Sequence, residues 1–417
     1  SFLSWHLPEA LAESVTYLEG EALQRQVIRA VVTVLEALAA RQPMLLVFDD
    51  LHWADSASLA LLERTLTLVD RSPILIALLY RPDRTHGSWA LGEAAARTYP
   101  AQCVTVNIPP LDVRRGEDLQ LVRNLLQLAE LPAELPPLIA RGEGNPFYIE
   151  EIIRALIDAG AIVYKDERWQ PTRSLGLSTV PDSLQGIIMA RIDRLIEDAR
   201  RTLQLASVVG RTFQYLALNW LTSAAALASL AAQLDGSLST LQHAELIREQ
   251  TRLPELAYGF AQAMFRDVAY ESLLLRDRRL YHRLVAQQLE ETHPDQIEEV
   301  YELLAHHYGL SDDRKQALTY LIKAGEKTRA AYANKEAIEF FTQAALLADH
   351  LGTPAENAAA AEGLGDVFYH VGQYEDALAC FTRALSFRTR PLELAALYQR
   401  MGAVYEKRGE YESALSQ

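Results

Sequence analysis

The sequence predicts a multidomain protein, with an α/β core on a partial parallel sheet at one end and an all-α repeat array at the other. Three observations support this fold class. The chain has 417 residues, enough for about three domains of roughly 150 residues each. Strand and helix patterns alternate in the first third of the chain. After residue 294, small and aromatic residues recur at fixed offsets within helical patterns.

The composition is that of an ordinary soluble globular protein, with 49% hydrophobic and 23% charged residues. It excludes disordered, collagen-like and low-complexity chains. The net charge of −15 argues against nonspecific binding to nucleic acid or to a membrane. No apolar run reaches the about 18 residues of a membrane span. Two cysteines, Cys103 and Cys380, fit neither a disulfide framework nor a four-cysteine zinc site, so we expect a cytoplasmic protein.

Alternating helix and strand patterns define the α/β core. Apolar residues at helical spacing end before Pro43, and the five apolar residues from Met44 to Phe48 are typical of a buried strand in a parallel sheet. Asp55 is a suitable N-cap for the next helix. The predicted elements are, in order, a helix over 21–40, a strand over 44–48, a helix over 56–69, a buried strand over 74–80 and a third strand near 104–108.

The middle of the chain predicts helices and two small hairpins. Residues 112–160 have helical patterns, and a short hairpin follows over 161–170, before a Ser/Thr/Gly-rich linker over 171–180. Residues 181–290 predict several helices and a second hairpin, with strands over 246–249 and 257–260 and Pro254 in its loop. Helices closed by a small β-hairpin are the outline of a winged helix.

The last part of the chain contains a repeat. Gly325, Gly365 and Gly402 serve as anchors, and alanine, phenylalanine and alanine follow at offsets of 12, 16 and 19 residues wherever the chain is long enough. The residues at those offsets are Ala337, Ala377 and Ala414, then Phe341 and Phe381, then Ala344 and Ala384. This pattern matches the tetratricopeptide repeat. The alternative is an ordinary antiparallel helical bundle with alanine at its contacts.

Stacked tetratricopeptide helix pairs present a concave face that binds proteins or peptides. We expect the first helix of each pair to line that face. The side chains expected there include Lys323, Arg329, Glu362, Asp366, Gln399 and Glu406. Their mixed charge favours a polar peptide or protein surface as the partner.

The strongest chemical signal is Asp49-Asp50, directly after the first predicted strand. In open α/β sheets, ligands bind at the carboxyl ends of the strands. One carboxylate placed there can hold Mg²⁺, and a second can orient an attacking water. The alternative is a turn that is rich in aspartate because aspartate favours turns.

The longer run from Leu46 to Asp55, Leu-Val-Phe-Asp-Asp-Leu-His-Trp-Ala-Asp, resembles the Walker B segment of the STAND class of signal-transduction ATPases. These are AAA-like regulators that include MalT-type activators and the ATPase modules attached to bacterial adenylate cyclases. The resemblance extends through most of the chain. It implies ATP or ADP with Mg²⁺ as cofactors, with Asp49 as the Mg²⁺-associated carboxylate and Asp50 as the catalytic, water-orienting one.

Three further positions resemble functional residues of this family. Arg81, after the second strand, resembles the sensor that contacts the γ-phosphate, since an arginine stays charged and forks onto phosphate oxygens. Gly144 and Pro146 resemble the Gly-x-Pro segment that opens a lid helix near the adenine. Gln262 lies where many members carry a histidine that touches the ADP phosphate, and glutamine offers hydrogen bonds without charge. The alternatives are a surface arginine at Arg81 and a packing role for Gln262.

The resemblance implies four regions. We expect residues 1–111 to be the C-terminal part of the AAA-like NTPase core and 112–175 to be its helical lid. Residues 176–293 would form a winged-helix domain, and 294–417 would form truncated tetratricopeptide repeats.

One element of the family pattern does not occur in the sequence. A P-loop requires Gly-x-x-x-x-Gly-Lys-Ser/Thr, which holds the phosphates with backbone amides and the lysine. We therefore expect a fragment of a longer protein, cut at both ends, whose P-loop segment and output domain lie elsewhere. By itself this chain is expected to bind nucleotide weakly and to hydrolyse nothing.

The expected function is that of a regulatory module in a STAND-type ATP-dependent signalling switch. Nucleotide state would control how the domains pack, and the repeats would bind a partner or inducer, with no membrane and no nucleic acid among the partners of this segment. The alternative is a non-catalytic scaffold for protein interaction that carries a degenerate nucleotide core.

Overall fold

A computed structural model describes residues 21–128, 130–165, 168–172, 181–224, 227–253 and 255–417. This part of the chain is mainly helical, with three small β-sheets. It forms two compact units. One comprises the described residues up to Asn107 together with Leu321–Gln417, and the other comprises Ile108–Tyr320. Within the described ranges, no helix combines the length and apolar character that a membrane span requires.

The first unit contains a two-stranded parallel sheet. Met44 lies opposite Ile74, and Phe48 lies opposite Leu78. Parallel strands need a crossover, and the helix between them supplies it. Asp55 caps that helix, because its Oδ1 accepts a hydrogen bond from the Ser58 amide at 2.7 Å. The elements of this part are α1 (Glu21–Ala39), β1 (Met44–Phe48), α2 (Ser56–Thr65), β2 (Ile74–Leu78) and α3 (Gly87–Thr98). These bounds confirm the predicted order, the parallel pairing and the N-cap.

The sheet of the first unit is buried on one face only, so the prediction of fully buried strands is wrong. Phe48 and Ile76 pack into the core beneath α2 and α3. Leu45, Val47 and Leu75 are 61%, 56% and 67% exposed. Successive side chains of a strand point to opposite faces, and the described helices cover just one of them.

The predicted third strand near 104–108 is also wrong. No strand forms there, and Val104, Val106 and Ile108 are 83%, 74% and 90% exposed. The apolar alternation is that of a strand, but a strand needs a neighbour for its backbone hydrogen bonds. In the described part of the chain, β1 and β2 pair only with each other.

The first part of the second unit is a helical cluster with a β-hairpin. Its core includes the fully buried Leu135, Ile149 and Ile152. The hairpin is antiparallel and pairs Ile162 with Pro171, which confirms the prediction over 161–170. The elements are α4 (Glu117–Leu126), α5 (Leu135–Ile139), α6 (Pro146–Asp158), β3 (Ile162–Lys165) and β4 (Arg168–Pro171). Most of the predicted linker over 171–180 lies outside the described residues.

The rest of the second unit packs seven helices and a three-stranded antiparallel sheet around one core. The predicted second hairpin is confirmed, and a third short strand joins it in the order β5-β7-β6. Pro254 lies outside the described residues. The elements are α7 (Leu184–Asp193), α8 (Glu197–Val209), β5 (Thr212–Gln214), α9 (Tyr215–Ser223), α10 (Ala228–Ala231), α11 (Leu234–His243), β6 (Ile247–Thr251), β7 (Ala257–Phe260), α12 (Ala263–Glu271) and α13 (Leu275–Thr292). A further helix, α14 (Tyr301–Leu310), packs on α13.

A buried ion pair joins the two parts of the second unit. One guanidinium nitrogen of Arg191 in α7 donates to both carboxylate oxygens of Glu151 in α6, at 2.9 and 2.8 Å. The other terminal nitrogen donates to the Ala244 carbonyl, and the guanidinium lies 5.2 Å from the ring centre of Phe265. Both charges are almost fully buried, so each needs the partners it has.

The C-terminal helices stack in sequence as pairs. They are α15 (Arg314–Ala330), α16 (Asn334–Leu351), α17 (Pro354–His370), α18 (Tyr374–Leu385), α19 (Pro391–Arg408) and α20 (Tyr411–Ser416). Phe341 fills the space beside Gly325, where a Cβ would lie 2.8 Å from its ring. Phe381 fills the space beside Gly365, where a Cβ would lie 2.5 Å from its ring. Glycine at these two positions therefore lets paired helices close around an aromatic ring.

The predicted contacts of the repeat alanines are confirmed for two copies. Ala337 and Ala377 are fully buried, and so are Ala344 and Ala384. Ala414 in α20 is only partly buried. The helical stack is established by these contacts, whereas its tetratricopeptide identity stays a prediction.

We expect Ala377→Leu to destabilise the stack. The new side chain must enter a fully buried contact between α17, α18 and α19, and such overpacking costs about 1–3 kcal/mol. Ala379→Leu is the matched control, because Ala379 lies in the same helix but is exposed. Urea unfolding of the 417-residue chain measures both effects. Equal midpoints for the two variants would contradict the assigned contact.

Candidate functional site

The carboxyl ends of β1 and β2 are locked together by backbone hydrogen bonds. The Leu79 amide donates to the Phe48 carbonyl at 2.8 Å, and the Leu51 amide donates to the Leu79 carbonyl at 3.0 Å. The two residues between Phe48 and Leu51 therefore form a turn whose ends are both fixed to the second strand. Those two residues are Asp49 and Asp50.

The conformation of this turn requires a residue like aspartate. Asp50 has φ 55° and ψ 34°, in the left-handed region. Aspartate tolerates that region better than most residues because its short polar side chain bonds locally. Here the neighbouring Asp49 Oδ1 accepts the Asp50 amide at 2.8 Å. Both aspartates are exposed, so two carboxylates face solvent at the sheet edge where α/β proteins bind ligands.

His52 lies beneath the aspartate pair. Its side chain is only 10% exposed, and its Nε2 lies 3.8 Å from Asp50 Oδ1. That distance is too long for a hydrogen bond, and neither ring nitrogen has a hydrogen-bond partner among the residues that the structure describes. A buried imidazole with two unsatisfied nitrogens is costly, and such exceptions often mark functional sites. Sequence reasoning treated His52 only as part of the longer run. The available signal was a histidine two residues after the carboxylate in a turn.

Arg81 lies at the same sheet edge. It follows Leu79 by two residues, and Leu79 bonds to both sides of the aspartate turn. Arg81 is exposed. The loop beyond it is fixed by Asp83, whose carboxylate accepts the Thr85 amide at 2.9 Å and the Thr85 hydroxyl at 2.7 Å. These two hydrogen bonds lower the pKa of Asp83.

The Gly-x-Pro segment begins α6 in the second unit. Asn145 Oδ1 accepts the amides of Phe147 and Tyr148 at 3.0 and 3.3 Å, and Pro146 occupies the first helical turn. Gly144 has φ +76°, and a Cβ there would collide with the Leu111 backbone, whose amide donates to the Gly144 carbonyl at 2.8 Å. Glycine is required at this position by both observations.

Gln262 is the residue immediately before α12. It is exposed, and its side chain makes no capping hydrogen bond to that helix. Phe265, three residues later, packs edge-to-face on Phe147 with 5.7 Å between ring centres. Phe147 directly follows Pro146. The structure thus brings the Gly-x-Pro segment and the Gln262 segment together within the second unit.

The candidate residues fall into two groups. Asp49, Asp50 and Arg81 meet at one sheet edge in the first unit, and the three remaining positions, Gly144, Pro146 and Gln262, belong to the second. Their roles stay predictions. No group of three or more metal-binding side chains occurs in the described ranges. Mg²⁺ in NTPases needs only one or two carboxylates, with phosphates and water as its other ligands, so exposed Asp49 and Asp50 fit this ion.

Comparison with known protein families identifies a match in the N-terminal region. The model of the AAA ATPase domain matches residues 2–77. This match includes β1 and the aspartate pair, and it confirms the AAA-like nature of the N-terminal region. Among curated proteins, an uncharacterized protein of Rhizobium meliloti (strain 1021) is 25% identical over 335 residues, which are 78% of this chain. The chain spans 30% of the length of that relative.

Two solved structures are similar at low identity. One is the STAND protein PH0952 from Pyrococcus horikoshii, described as having a tetratricopeptide repeat sensor. It is 15% identical with a TM-score of 0.37, and the alignment covers 94% of this chain and 70% of that one. The other is BtubC from P. vanneervenii, 18% identical with a TM-score of 0.28, covering 56% of this chain and 88% of that one.

We expect His52→Leu to leave the stability of the first unit unchanged or to increase it. The substitution removes a buried imidazole without hydrogen bonds, and an unsatisfied buried polar group costs about 1–3 kcal/mol. Leu51→Ala, one residue earlier and in the buried core, is the control for core disruption and should cost about 2–5 kcal/mol. Thermal unfolding compares them. A loss for His52→Leu as large as that for Leu51→Ala would show that the imidazole is bonded within the folded chain.

Proposed function

We propose that this chain is the regulatory module of a STAND-type switch that is controlled by ATP. The observation that carries the proposal is the match to the AAA ATPase domain over residues 2–77, within which two exposed carboxylates follow a parallel strand. That position is where such domains bind nucleotide and Mg²⁺. The whole protein is longer in the curated relative, and we place the output activity in a part of the polypeptide beyond this segment.

The aspartate pair would divide two tasks. Asp49 would hold Mg²⁺, which would supply positive charge against the phosphates. Asp50 would orient the attacking water, and the two hydrogen bonds that join the ends of its turn to Leu79 fix that turn in place. Arg81, at the same edge, would contact the γ-phosphate, because a guanidinium keeps its charge at every physiological pH.

The second unit would sense which nucleotide is bound. By the family resemblance, Pro146 at the start of α6 would pack near an adenine, and Gln262, directly before α12, would contact a phosphate. Gln262 offers hydrogen bonds but no positive charge, so it holds the ADP-bound state less firmly than a histidine would. In this proposal residues 112–175 are the lid and 176–293 are a winged-helix domain. The three-stranded sheet β5-β7-β6 next to α12 supports that domain type.

The C-terminal helices, assigned to tetratricopeptide repeats over 294–417, would bind a protein or peptide partner. Three of the side chains expected on the concave face are engaged in ion pairs between neighbouring first helices. Asp366 in α17 pairs with Arg329 at 3.3 Å and with Arg400 at 3.6 Å, and Glu362 pairs with Arg400 at 3.3 Å. The partner therefore meets a polar face whose charges are already paired. Binding would replace these ion pairs with contacts to the polar surface of the partner. We propose that this binding takes place in the cytoplasm.

Asp50→Asn tests the nucleotide function. In a full-length protein that carries a P-loop, we expect this variant to lose most ATP hydrolysis while nucleotide binding is largely retained, because the amide cannot orient and polarise water as a carboxylate does. Asp70→Asn is the control, since Asp70 lies just before β2, at the opposite end of the strand, and accepts a hydrogen bond from Gln102. Phosphate release and nucleotide affinity are the measurements.

Two outcomes would contradict this assignment. Equal hydrolysis by Asp50→Asn and Asp70→Asn would exclude Asp50 from catalysis. Turnover by residues 1–417 alone that disappears in Asp50→Asn would show that the P-loop is dispensable, whereas we expect no measurable hydrolysis from this segment. A full-length protein without any nucleotide binding would favour the scaffold alternative.

Hydrogen exchange on the full-length protein with its activating partner tests the role of the repeats. We expect protection of the first helices α15, α17 and α19, because they carry the paired charges of the proposed face. Exposed Leu346 and its neighbours in the second helix α16 should be unchanged and serve as the internal control. Protection confined to residues before 291 would show that the array is a spacer.

A further inference from the structure

Two buried histidines and a partly buried tyrosine form a hydrogen-bonded chain far along the sequence from the candidate nucleotide residues of the first unit. The Tyr270 hydroxyl of α12 lies 2.9 Å from His282 Nε2 of α13. His282 Nδ1 lies 2.9 Å from His307 Nδ1 of α14. His282 and His307 are only 2% and 4% exposed. We call Tyr270, His282 and His307 the histidine joint.

The joint admits only two proton arrangements when both imidazoles are neutral. A neutral imidazole has one N–H donor and one acceptor nitrogen. Two facing Nδ1 atoms can bond only if one of them carries the proton. Either the hydroxyl of Tyr270 donates to His282, which then donates to His307, or His307 donates to His282, which then donates to the tyrosine oxygen. The three groups must therefore reverse their donor and acceptor roles together.

The surroundings keep the joint neutral. Burial lowers the pKa of His282 to about 4 and that of His307 to about 3, and nearby positive groups add to the effect. The groups that face the joint are Arg266 from α12, Arg278 from α13 and His306 from α14. Both guanidinium groups also lie against the Tyr270 ring, at 5.6 and 4.8 Å from its centre.

The joint connects the helix that follows Gln262 to the helix that precedes α15. Helix α12 begins directly after Gln262, and α14 directly precedes α15, which carries the first repeat anchor, Gly325. If α12 shifts, the Tyr270 hydroxyl leaves His282. His282 Nε2, a buried nitrogen, is then left without a partner, which is costly. The imidazole that bonds His307 is no longer held at both of its nitrogens.

We propose that the histidine joint is a conformational coupling device, which makes the packing of α14 on α13 depend on the position of α12. The inference does not rest on nucleotide binding. It assigns a function to three residues in α12, α13 and α14 that the proposed ATPase activity does not use. A failure of the nucleotide assignment would therefore leave it intact.

Removal of one hydroxyl tests the coupling. In Tyr270→Phe we expect hydrogen exchange of α14 at pH 7.5 to accelerate by about fivefold or more, since His282 Nε2 loses its partner and the imidazole that bonds His307 of α14 is no longer held at both nitrogens. Tyr215→Phe is the matched control, because it also deletes one tyrosine hydroxyl with a 2.9 Å bond, to Asp235, in the same unit. Equal exchange of α14 in both variants would overturn the proposal.

A double-mutant cycle separates coupling from simple loss of packing. Tyr270→Phe and His307→Leu act at opposite ends of the chain and share His282 as their partner. We expect their combined effect on the unfolding equilibrium constant to deviate from the product of the single effects by more than about twofold. Independent effects would show that the two bonds are separate contacts and would contradict the device.

Ring-nitrogen NMR of the unmodified chain needs no variant and so avoids the risk of misfolding. At pH 7.5, we expect His282 and His307 both to be neutral, with a proton on one of the two Nδ1 atoms and not on the other. Spectra that show both histidines with protons on Nε2 alone would leave the two Nδ1 atoms facing each other without a proton. That result would overturn the joint.

Acid provides a second readout with a defined sign. Because the pKa values of both histidines in the folded chain lie below the unfolded value of about 6.5, the unfolded chain binds more protons. Stability is present above pH 6.5 and is lost as the pH falls toward 4. Within that window, each histidine should raise the unfolding equilibrium constant by up to about tenfold for each unit by which the pH falls. A profile without this slope would show that the histidines are not held neutral.

Discussion

The buried contact between Glu151 and Arg191 is the interaction on which the arrangement of the second unit depends. Its two hydrogen bonds hold α6 to α7, and the same guanidinium reaches the end of α11 and the Phe265 ring of α12. Removal of either partner would leave an uncompensated charge in a dry interior, which typically costs about 3–5 kcal/mol. The Gly-x-Pro segment at the start of α6 and Gln262 at the start of α12 are thereby fixed to a common point.

Local signals in the sequence were sufficient for most elements. The apolar run of β1, the cap at Asp55 and the strands of both hairpins are effects of neighbouring residues, and each was predicted correctly. The failures concern partners that are distant in sequence. The alternating apolar residues near 104–108 have the right pattern for a strand, but a pattern does not supply a neighbouring strand. Likewise, five apolar residues in β1 do not reveal that one face of the sheet would stay exposed.

The candidate site was predictable in position but not in detail. An Asp-Asp pair after a buried strand must lie at the carboxyl edge of a parallel sheet, so the location of Asp49 and Asp50 followed from the sequence. The left-handed backbone of Asp50 and the burial of His52 without hydrogen bonds could not be predicted from the sequence. Both depend on how Leu79 closes the turn. The ion pairs on the proposed repeat face depend on distant residues in the same way. Arginines 37 and 34 positions away pair with Asp366, Arg329 before it and Arg400 after it.

The buried histidines of the two units illustrate opposite uses of one side chain. His52 has no hydrogen-bond partner among the described residues, whereas His282 has one on each ring nitrogen. An imidazole without hydrogen-bond partners destabilises the folded state. An imidazole with two partners couples them, because a neutral ring carries one proton. If one nitrogen becomes the donor, the other must become the acceptor. Adjacent His306 and His307 show how little sequence reveals here: only His307 bonds to His282, since neighbouring helical residues face different directions.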